Sequence, residues 1–309
     1  MTHAEQTLDL VPGSFPFDSH FCAVDGANIH YVDEGQGTTL FMIHGNPTWS
    51  FLYRHVIRAL RPHYRCIAID LPGFGLSRPP AGFSFRPEDH AAVVTTLLSK
   101  LGIENAALVA HDWGGPIGLA AALAQPGRLT RFALGNTWAW PVNGDWHFEW
   151  FSRLMGGPIG RFGARHWNLF VNGVMVGAMR RGPLAADAKR AYRAPLRDPK
   201  RRTGTHVFPA CILGSREFLR AIERRLPGLD GRNFVFLWPD RDIAFRAAEL
   251  ERWQSLLPAA SVVHLRNCGH FIFEEAGAEC ADALATWLGG GAPLLAATAP
   301  SHQAEAPAQ

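Results

Sequence analysis

The stretch Ala106-Ala-Leu-Val-Ala-His-Asp112-Trp113-Gly114-Gly115 joins an apolar run to an acidic residue and two glycines. An apolar strand that passes into glycines and then a helix is typical of a nucleophile elbow, a tight turn that presents one reactive side chain above a sheet edge. The residue presented here is Asp112. Because Asp is also a favoured helix cap, this motif alone leaves both roles open.

The sequence around this stretch alternates short apolar runs with segments of helical length. The runs include Leu40–Ile43, Cys66–Ile69 and Phe132–Leu134, and the pattern resumes at Asn233–Trp238. Continuous apolar strands that alternate with helices indicate a parallel sheet covered on both faces. We therefore predict a doubly wound α/β fold, preceded by a hairpin that turns at Asp25-Gly26.

A long segment after Asn136 interrupts the alternation, because it is rich in Trp, Phe, Gly and Arg and contains no clear parallel strand. The economical interpretation is an insertion between two βα units of one sheet. We expect residues 20–139 and 229–289 to form the α/β core and residues 140–228 a helical cap. Residues 1–19 would be an N-terminal extension, and the Ala- and Pro-rich residues 290–309 a disordered tail.

Composition narrows the functional classes. The 309 residues are 47% hydrophobic with a formal net charge of +3, which indicates a globular protein and predicts neither a nucleic-acid nor a membrane partner. Five cysteines without a CxxC pair argue against a disulfide framework or structural zinc, and we expect no metal and no cofactor. The start of the chain lacks a secretory signal pattern, so the expected location is cytoplasmic. The oligomeric state is not predicted.

Two further motifs follow strands of the predicted sheet. His44-Gly45-Asn46-Pro47 comes directly after Leu40–Ile43, where a backbone N–H completes the oxyanion hole in enzymes with a nucleophile elbow. Asn267-Cys-Gly-His270-Phe271 follows the last predicted strand, Ser261–Leu265. The same motifs have ordinary interpretations, since a Gly/Asn/Pro turn after a strand and a single surface or core histidine are both common.

An acid lies between the nucleophile and the histidine in Trp238-Pro-Asp240-Arg-Asp242-Ile. Nucleophile, acid, histidine is the chain order of the α/β-hydrolase catalytic triad. Asp240 competes with Asp242 for the role of the acid, and the other residue of this pair would serve only the turn.

At these motifs the chain resembles the α/β-hydrolase superfamily and, within it, the haloalkane dehalogenases. The resemblance covers residues 20–288 and is carried by HGNPTWSFLYR (44–54), DLPGFGLSRPP (70–80), HDWGGPIG (111–118), NTWAWP (136–141), FPACI (208–212), DRDIAF (240–245) and GHFIFEE (269–275). It implies an eight-stranded, mostly parallel sheet with a cap, Asp112 as nucleophile and His270 as base. The family's alternative acid position holds Asn136, so the implied acid is Asp242.

The resemblance also implies a halide site and a pocket. The side-chain amide of Asn46 and the indole N–H of Trp113 would bind the departing halide, and the backbone N–H groups of the same two residues would form the oxyanion hole. Among the cap aromatics and their neighbours, we expect the pocket to be lined by Trp138, Phe208 and Phe271. The partners would be a small halogenated hydrocarbon, a halide ion and water.

An aspartate at the elbow suits this chemistry for a physical reason. Attack on an sp³ carbon by Ser would leave a stable ether, whereas Asp112 would leave an ester that water can hydrolyse. His270 would then deprotonate that water, held in position by Asp242. The main alternative is an epoxide hydrolase with the same Asp, His and Asp residues. A catalytically silent, ligand-binding hydrolase fold is a third possibility.

Overall fold

The computed structural model describes residues 3–9, 11 and 13–289. One eight-stranded sheet runs through the described chain in the spatial order β1-β2-β4-β3-β5-β6-β7-β8. The strands are β1 Ser19–Val24, β2 Ala27–Glu34, β3 Thr39–Ile43, β4 Arg65–Ile69, β5 Ala106–His111, β6 Leu129–Gly135, β7 Phe234–Pro239 and β8 Ser261–Leu265. Pairing is antiparallel between β1 and β2 and between β2 and β4, and parallel elsewhere. The predicted mostly parallel, doubly wound sheet is confirmed.

Helices cover this sheet and form the segment between β6 and β7. They are α1 His3–Leu8, α2 Arg54–Leu60, α3 Pro87–Lys100, α4 Gly114–Ala124, α5 Trp146–Gly156, α6 Pro158–Trp167, α7 Val176–Ala178, α8 Ala186–Arg193, α9 Thr203–Gly214, α10 Arg216–Glu223, α11 Ala247–Leu256, α12 Ile272–Glu275 and α13 Gly277–Trp287. No described helix is long and apolar enough to cross a bilayer.

The core lies on both faces of the sheet because successive strand residues point to opposite sides. Phe41 and Ile43 belong to one buried cluster, whereas Leu40 and Met42 belong to the other. This arrangement explains why β3 is apolar from Leu40 to Ile43 rather than alternating. The N-terminal residues Val11, Phe15 and Phe17 pack in the second cluster. The proposed disordered tail, residues 290–309, lies outside the described residues.

The helical segment after β8 is divided in two. α12 ends at Glu275 and α13 begins at Gly277, because Ala276 leaves the helical region with φ −133°. A Cβ atom at Gly277 would lie 2.6 Å from Cβ of His55 in α2. Glycine therefore permits α13 to pack closely on α2, a long-range contact that local sequence periodicity does not reveal.

Candidate active site

Asp112 lies at the turn between β5 and α4. Its φ of +51° falls in the left-handed region that non-glycine residues adopt only under strain. A Cβ atom at Gly114 would lie 2.1 Å from the backbone oxygen of Ile43, so only glycine fits where the turn passes β3. The backbone N–H of Asp112 donates to the Asn136 carbonyl at 3.2 Å, which ties the turn to the end of β6.

The Asp112 carboxylate is held by backbone donors on one side and faces His270 on the other. Asn46 N donates to Asp112 Oδ1 at 2.8 Å, and the N–H of Trp113 also bonds this carboxylate. Asp112 Oδ2 lies 3.9 Å from His270 Nε2. Burial raises the pKa of Asp112, and although His270 and the two backbone N–H groups oppose this effect, the net pKa remains above its usual value.

Two carboxylates follow β7, and the structure separates them. Asp242 Oδ2 lies 3.0 Å from His270 Nδ1, and its side chain is fully buried. Asp240 is exposed and accepts a hydrogen bond from the Cys268 backbone at 3.3 Å, as a residue that organises a turn would. Only Asp242 is therefore placed to orient the imidazole.

Charge in this cluster favours an ionised acid and a basic histidine. Burial alone would raise the pKa of Asp242, but His270 and the Asn136 amide outweigh it and lower the pKa below its usual value. Burial alone would lower the pKa of His270, but Asp242 and Asp112 outweigh it and raise the pKa. With Nδ1–H facing Asp242, the neutral imidazole keeps Nε2 free to accept a proton on the side of Asp112.

Two residues near the triad were not anticipated from the sequence. Asn136 Nδ2 donates to Asp242 Oδ2 at 2.5 Å. Asn136 follows β6 and occupies the family's alternative acid position, which has no carboxylate in this chain. His111 Nε2 donates to the backbone carbonyl of His270 at 2.8 Å. Burial, assisted by nearby His270, lowers the pKa of His111 to about 3, so this ring is neutral. In the sequence, only the position of His111 directly before Asp112 could have indicated that it lies near the site.

Asn46 and Trp113 both border the space above Asp112. The Asn46 amide nitrogen donates to the backbone carbonyl of Thr205 in α9 at 3.0 Å, which uses one of its two N–H bonds. The Trp113 indole packs edge-on against Trp138, with ring centroids 4.6 Å apart. The structure thus brings to one cavity the two side chains for which the family resemblance implied a halide site.

A cavity of about 440 Å³ opens over these groups. Trp138 and Phe271 line it, as do Asp112 and His270. Phe208 does not line the cavity, contrary to expectation. Its ring stacks on Trp113 at 5.4 Å and is buried behind that indole, so it supports the wall rather than forming it.

Most of the apolar wall was not identified from the sequence as pocket lining. The additional residues come from the helical segment before β7 and from the loop after it, and include Phe148, Trp150, Phe151, Phe170, Val174, Pro209, Ile212, Ile243, Ala244 and Phe245. No Lys or Arg lines the cavity. Within the described ranges, no group of three His, Cys, Asp or Glu side chains is arranged to hold a metal ion.

Comparison with known proteins places the chain in a family. Residues 38–277 match the family described as the alpha/beta hydrolase fold. The haloalkane dehalogenase 2 of Mycobacterium bovis is 36% identical over 274 residues, which cover 87% of this chain and 95% of the relative. A cis-3-alkyl-4-alkyloxetan-2-one decarboxylase of Shewanella oneidensis is 32% identical over 277 residues, or 85% of this chain and 86% of the relative.

A similar solved structure carries the same family name as the first of these relatives. The crystal structure of a haloalkane dehalogenase from Bradyrhizobium elkani superposes with a TM-score of 0.81 at 26% identity, and the match covers 91% of this chain and all of the other. The fold and the sequence identity over most of both chains therefore point to the same family. The chain therefore belongs to the haloalkane dehalogenases of the α/β-hydrolase superfamily.

Proposed function

We propose that this protein hydrolyses haloalkanes to an alcohol and a halide ion through a covalent ester on Asp112. The observation that carries the proposal is a largely buried carboxylate, 3.9 Å from a histidine, at the base of an apolar cavity that no described Lys or Arg lines. A cation in that position would pair with Asp112 and weaken it as a nucleophile. The apolar wall favours an uncharged substrate.

In the first step, Asp112 Oδ2 attacks the halogen-bearing carbon from behind. A carbon–oxygen bond forms as the carbon–halogen bond breaks, and the halide leaves with the bonding electron pair. The Asn46 amide and the Trp113 indole N–H would bind that developing negative charge without neutralising the nucleophile. The Asn46 amide suits this role because only one of its two N–H bonds is taken by Thr205.

In the second step, His270 Nε2 removes a proton from water, and the water oxygen attacks the carboxyl carbon of the Asp112 ester. The backbone N–H groups of Asn46 and Trp113 already bond this carboxyl group, which supports their role in stabilising the oxyanion. Collapse breaks the acyl–oxygen bond, and the alcohol leaves with the proton from His270. Asp242 stabilises the imidazolium that forms meanwhile.

Residues 140–228 would act as a cap that excludes water from the first step. Phe148, Trp150 and Phe170 of this segment lie in the cavity wall above Asp112. Displacement at an sp³ carbon benefits when bulk water is excluded, because the carboxylate then reacts without a full hydration shell. Haloalkane, halide and a single water molecule would thus be the ligands of this site.

The epoxide-hydrolase alternative is not favoured by the site. Epoxide opening requires a proton donor for the developing alkoxide, and tyrosines supply it in enzymes with this machinery. Tyr192, which lies in the cap, is buried and donates its hydroxyl proton to Glu274 at 2.6 Å. None of the chain's four tyrosines lines the cavity.

A second candidate reaction is suggested by the Shewanella relative, whose name denotes decarboxylation of a cis-3-alkyl-4-alkyloxetan-2-one. The identity of 32% over 85% of this chain favours considering it. Such a four-membered lactone would lose carbon dioxide and leave an alkene, without release of halide or consumption of water. The two reactions are therefore distinguished by their products.

The test is to incubate the purified protein with 1-bromobutane, 1,2-epoxybutane and a cis-3,4-dialkyloxetan-2-one in parallel. We expect bromide and acid release from the first substrate, and abolition of this release in Asp112→Ala. In a single turnover in H₂¹⁸O, the peptide that contains Asp112 should gain the heavy isotope. Bromide release without label in that peptide would exclude the covalent route, and alkene release alone would favour the second candidate.

A further inference from the structure

The cap carries an exposed aromatic face that the proposed reaction does not explain. Five large apolar side chains of α5 and α6, between 54% and 76% exposed, form this face: Trp146, Trp150, Ile159, Phe162 and Trp167. Burial of such residues is normally favourable, and an exposed cluster of this size marks an interaction surface. Outside the cap, only Phe21 and Ile243 are comparably exposed among the described residues.

The face extends from the cavity to the last residue of α6. Trp146 and Trp150 line the active-site cavity and, with Ile159, a shallow groove between α5 and α6. Phe162 lies one turn beyond Ile159, and its ring centroid is 5.4 Å from that of Trp167. Because Trp146 and Trp150 are both exposed and part of the cavity wall, the aromatic face borders the mouth of the active site.

Positive charge flanks the aromatic face. Trp167 borders a cleft that also contains Arg193, Arg197 and Arg202. Arg193 and Arg197 are exposed, and neither forms an ion pair with a carboxylate within the described ranges. Unpaired guanidinium groups beside an exposed indole provide donors for phosphate oxygens next to an apolar surface.

Formal charge is also distributed unequally between residues 140–228 and the remainder of the chain. Residues 140–228 contain 16 Lys and Arg against 6 Asp and Glu, a formal net charge of +10, whereas the remainder contains 14 against 21, a net charge of −7. The formal net charge of +3, from which no membrane partner was expected, conceals this asymmetry. A polarised molecule of this kind is attracted cap-first to an anionic surface.

We propose that the cap face docks on an anionic phospholipid surface, with Trp146, Trp150, Ile159, Phe162 and Trp167 at the level of the headgroups and Arg193 and Arg197 on lipid phosphates. Tryptophan side chains favour this interfacial environment, and each nearby cation strengthens attraction to anionic lipid. A symmetric contact between two such faces would bring like charges together, which disfavours a second copy as the occupant.

Docking would place the mouth of the active site against the bilayer. Apolar molecules concentrate in bilayers, so the substrate would enter the cavity between Trp146 and Trp150 without crossing water. This consequence rests on the proposed dehalogenation, whereas the docking does not. Failure of one can therefore be recognised separately from failure of the other, because vesicle binding is measured without substrate.

The test is flotation of the full chain with vesicles of phosphatidylcholine alone or mixed with phosphatidylglycerol. We expect recovery with the anionic vesicles only, and loss of binding at high salt. The double variants Phe162→Ala/Trp167→Ala and Arg193→Glu/Arg197→Glu should each lower the partition coefficient about tenfold or more. None of these four residues lines the active-site cavity.

Matched controls on the core should retain binding. Phe21→Ala removes an exposed aromatic residue of β1, and Lys100→Glu/Arg266→Glu reverses two exposed charges. Absence of wild-type protein from the anionic vesicles, or equal loss in the control variants, would overturn the proposal. A third outcome would also overturn it: the protein does not float with vesicles, and light scattering shows an assembly of copies that Phe162→Ala/Trp167→Ala breaks.

Discussion

Asn136 Nδ2 lies 2.5 Å from Oδ2 of Asp242, the same oxygen that is 3.0 Å from His270 Nδ1. One carboxylate oxygen thus receives two donors, and Ala244 N donates to the other oxygen at 2.7 Å. These bonds fix the plane of the Asp242 carboxylate and help to keep it ionised in a buried site. We therefore propose that Asn136 is a positioning residue that acts through Asp242.

Asn136→Ala should slow hydrolysis of the ester about tenfold or more, the effect of removing one hydrogen bond to a charged group, and leave alkylation of Asp112 within about twofold. Pre-steady-state measurement of bromide burst and alcohol formation separates the two steps. Because Asn136 has a φ of +45°, Ala there also strains the backbone. Asn105→Ala, at a φ of +50° on the surface, controls for that strain. Equal slowing of both steps would contradict the positioning role.

The two candidate acids are distinguished by paired substitutions. Asp242→Asn should reduce the rate of ester hydrolysis by about 10⁴, as in other triads that lose the carboxylate. Asp240→Asn should change it by no more than about threefold, because Asp240 is exposed and bonds only the backbone. Steady-state rates with 1-bromobutane provide the comparison, and the reverse order of effects would assign the acid to Asp240.

His270→Phe should trap the covalent intermediate, since displacement of halide does not require the base. After incubation with 1-bromobutane, the intact mass of this variant should rise by one butyl group, located on Asp112 by peptide mapping. The double variant His270→Phe/Asp112→Asn should remain unmodified. An unmodified His270→Phe single variant that still folds would argue against two-step chemistry.

The pKa of His270 should change during the reaction. Asp242 and Asp112 together hold it above the usual value of 6.5 in the free protein. Alkylation removes the Asp112 charge, so the pKa of His270 should fall in the ester and the neutral base should become more available. The rate of ester hydrolysis, measured in single turnovers, should fall as the pH is lowered. The midpoint of this fall should lie at a lower pH than the midpoint of the His270 titration that NMR measures in the free protein. Coincident midpoints would contradict this coupling.

Asn46→Ala should slow alkylation by about 10²–10³, the usual effect of losing one aimed donor, and should weaken bromide binding followed by tryptophan fluorescence. The same substitution also removes the bond from Asn46 to the Thr205 carbonyl, so some stability should be lost. Thr48→Ala is the matched control, because Thr48 bonds Gly45 in the same loop but lies outside the cavity lining. Equal rates in the two variants would remove Asn46 from the halide site.

The residues at the carboxyl ends of strands could be predicted from the sequence, whereas the residues that line the apolar wall of the cavity could not. Asp112, Asn46 and His270 each follow a short apolar run, and parallel strands bring their carboxyl ends to one edge. Phe208 was expected in the pocket but lies behind Trp113, while Phe245 lines the pocket and was not singled out. Which side of a cap helix faces the cavity depends on how that helix packs, and its sequence contains aromatics on several sides.

Local patterns in the chain were enough to predict the series of strands, the aspartate at the elbow and the short list of residues that would act with it. The packed structure places Asp242 rather than Asp240 beside His270, brings Asn136 and His111 to the same cluster, and sets Trp167 beside the cleft that contains Arg193 and Arg197. The two kinds of information differ in the distance along the chain over which the interactions act. Turn chemistry and apolar patterning act over a few residues, but hydrogen bonds such as that between Asn136 and Asp242 join residues 106 positions apart, and only the packed sheet and cap bring them within reach.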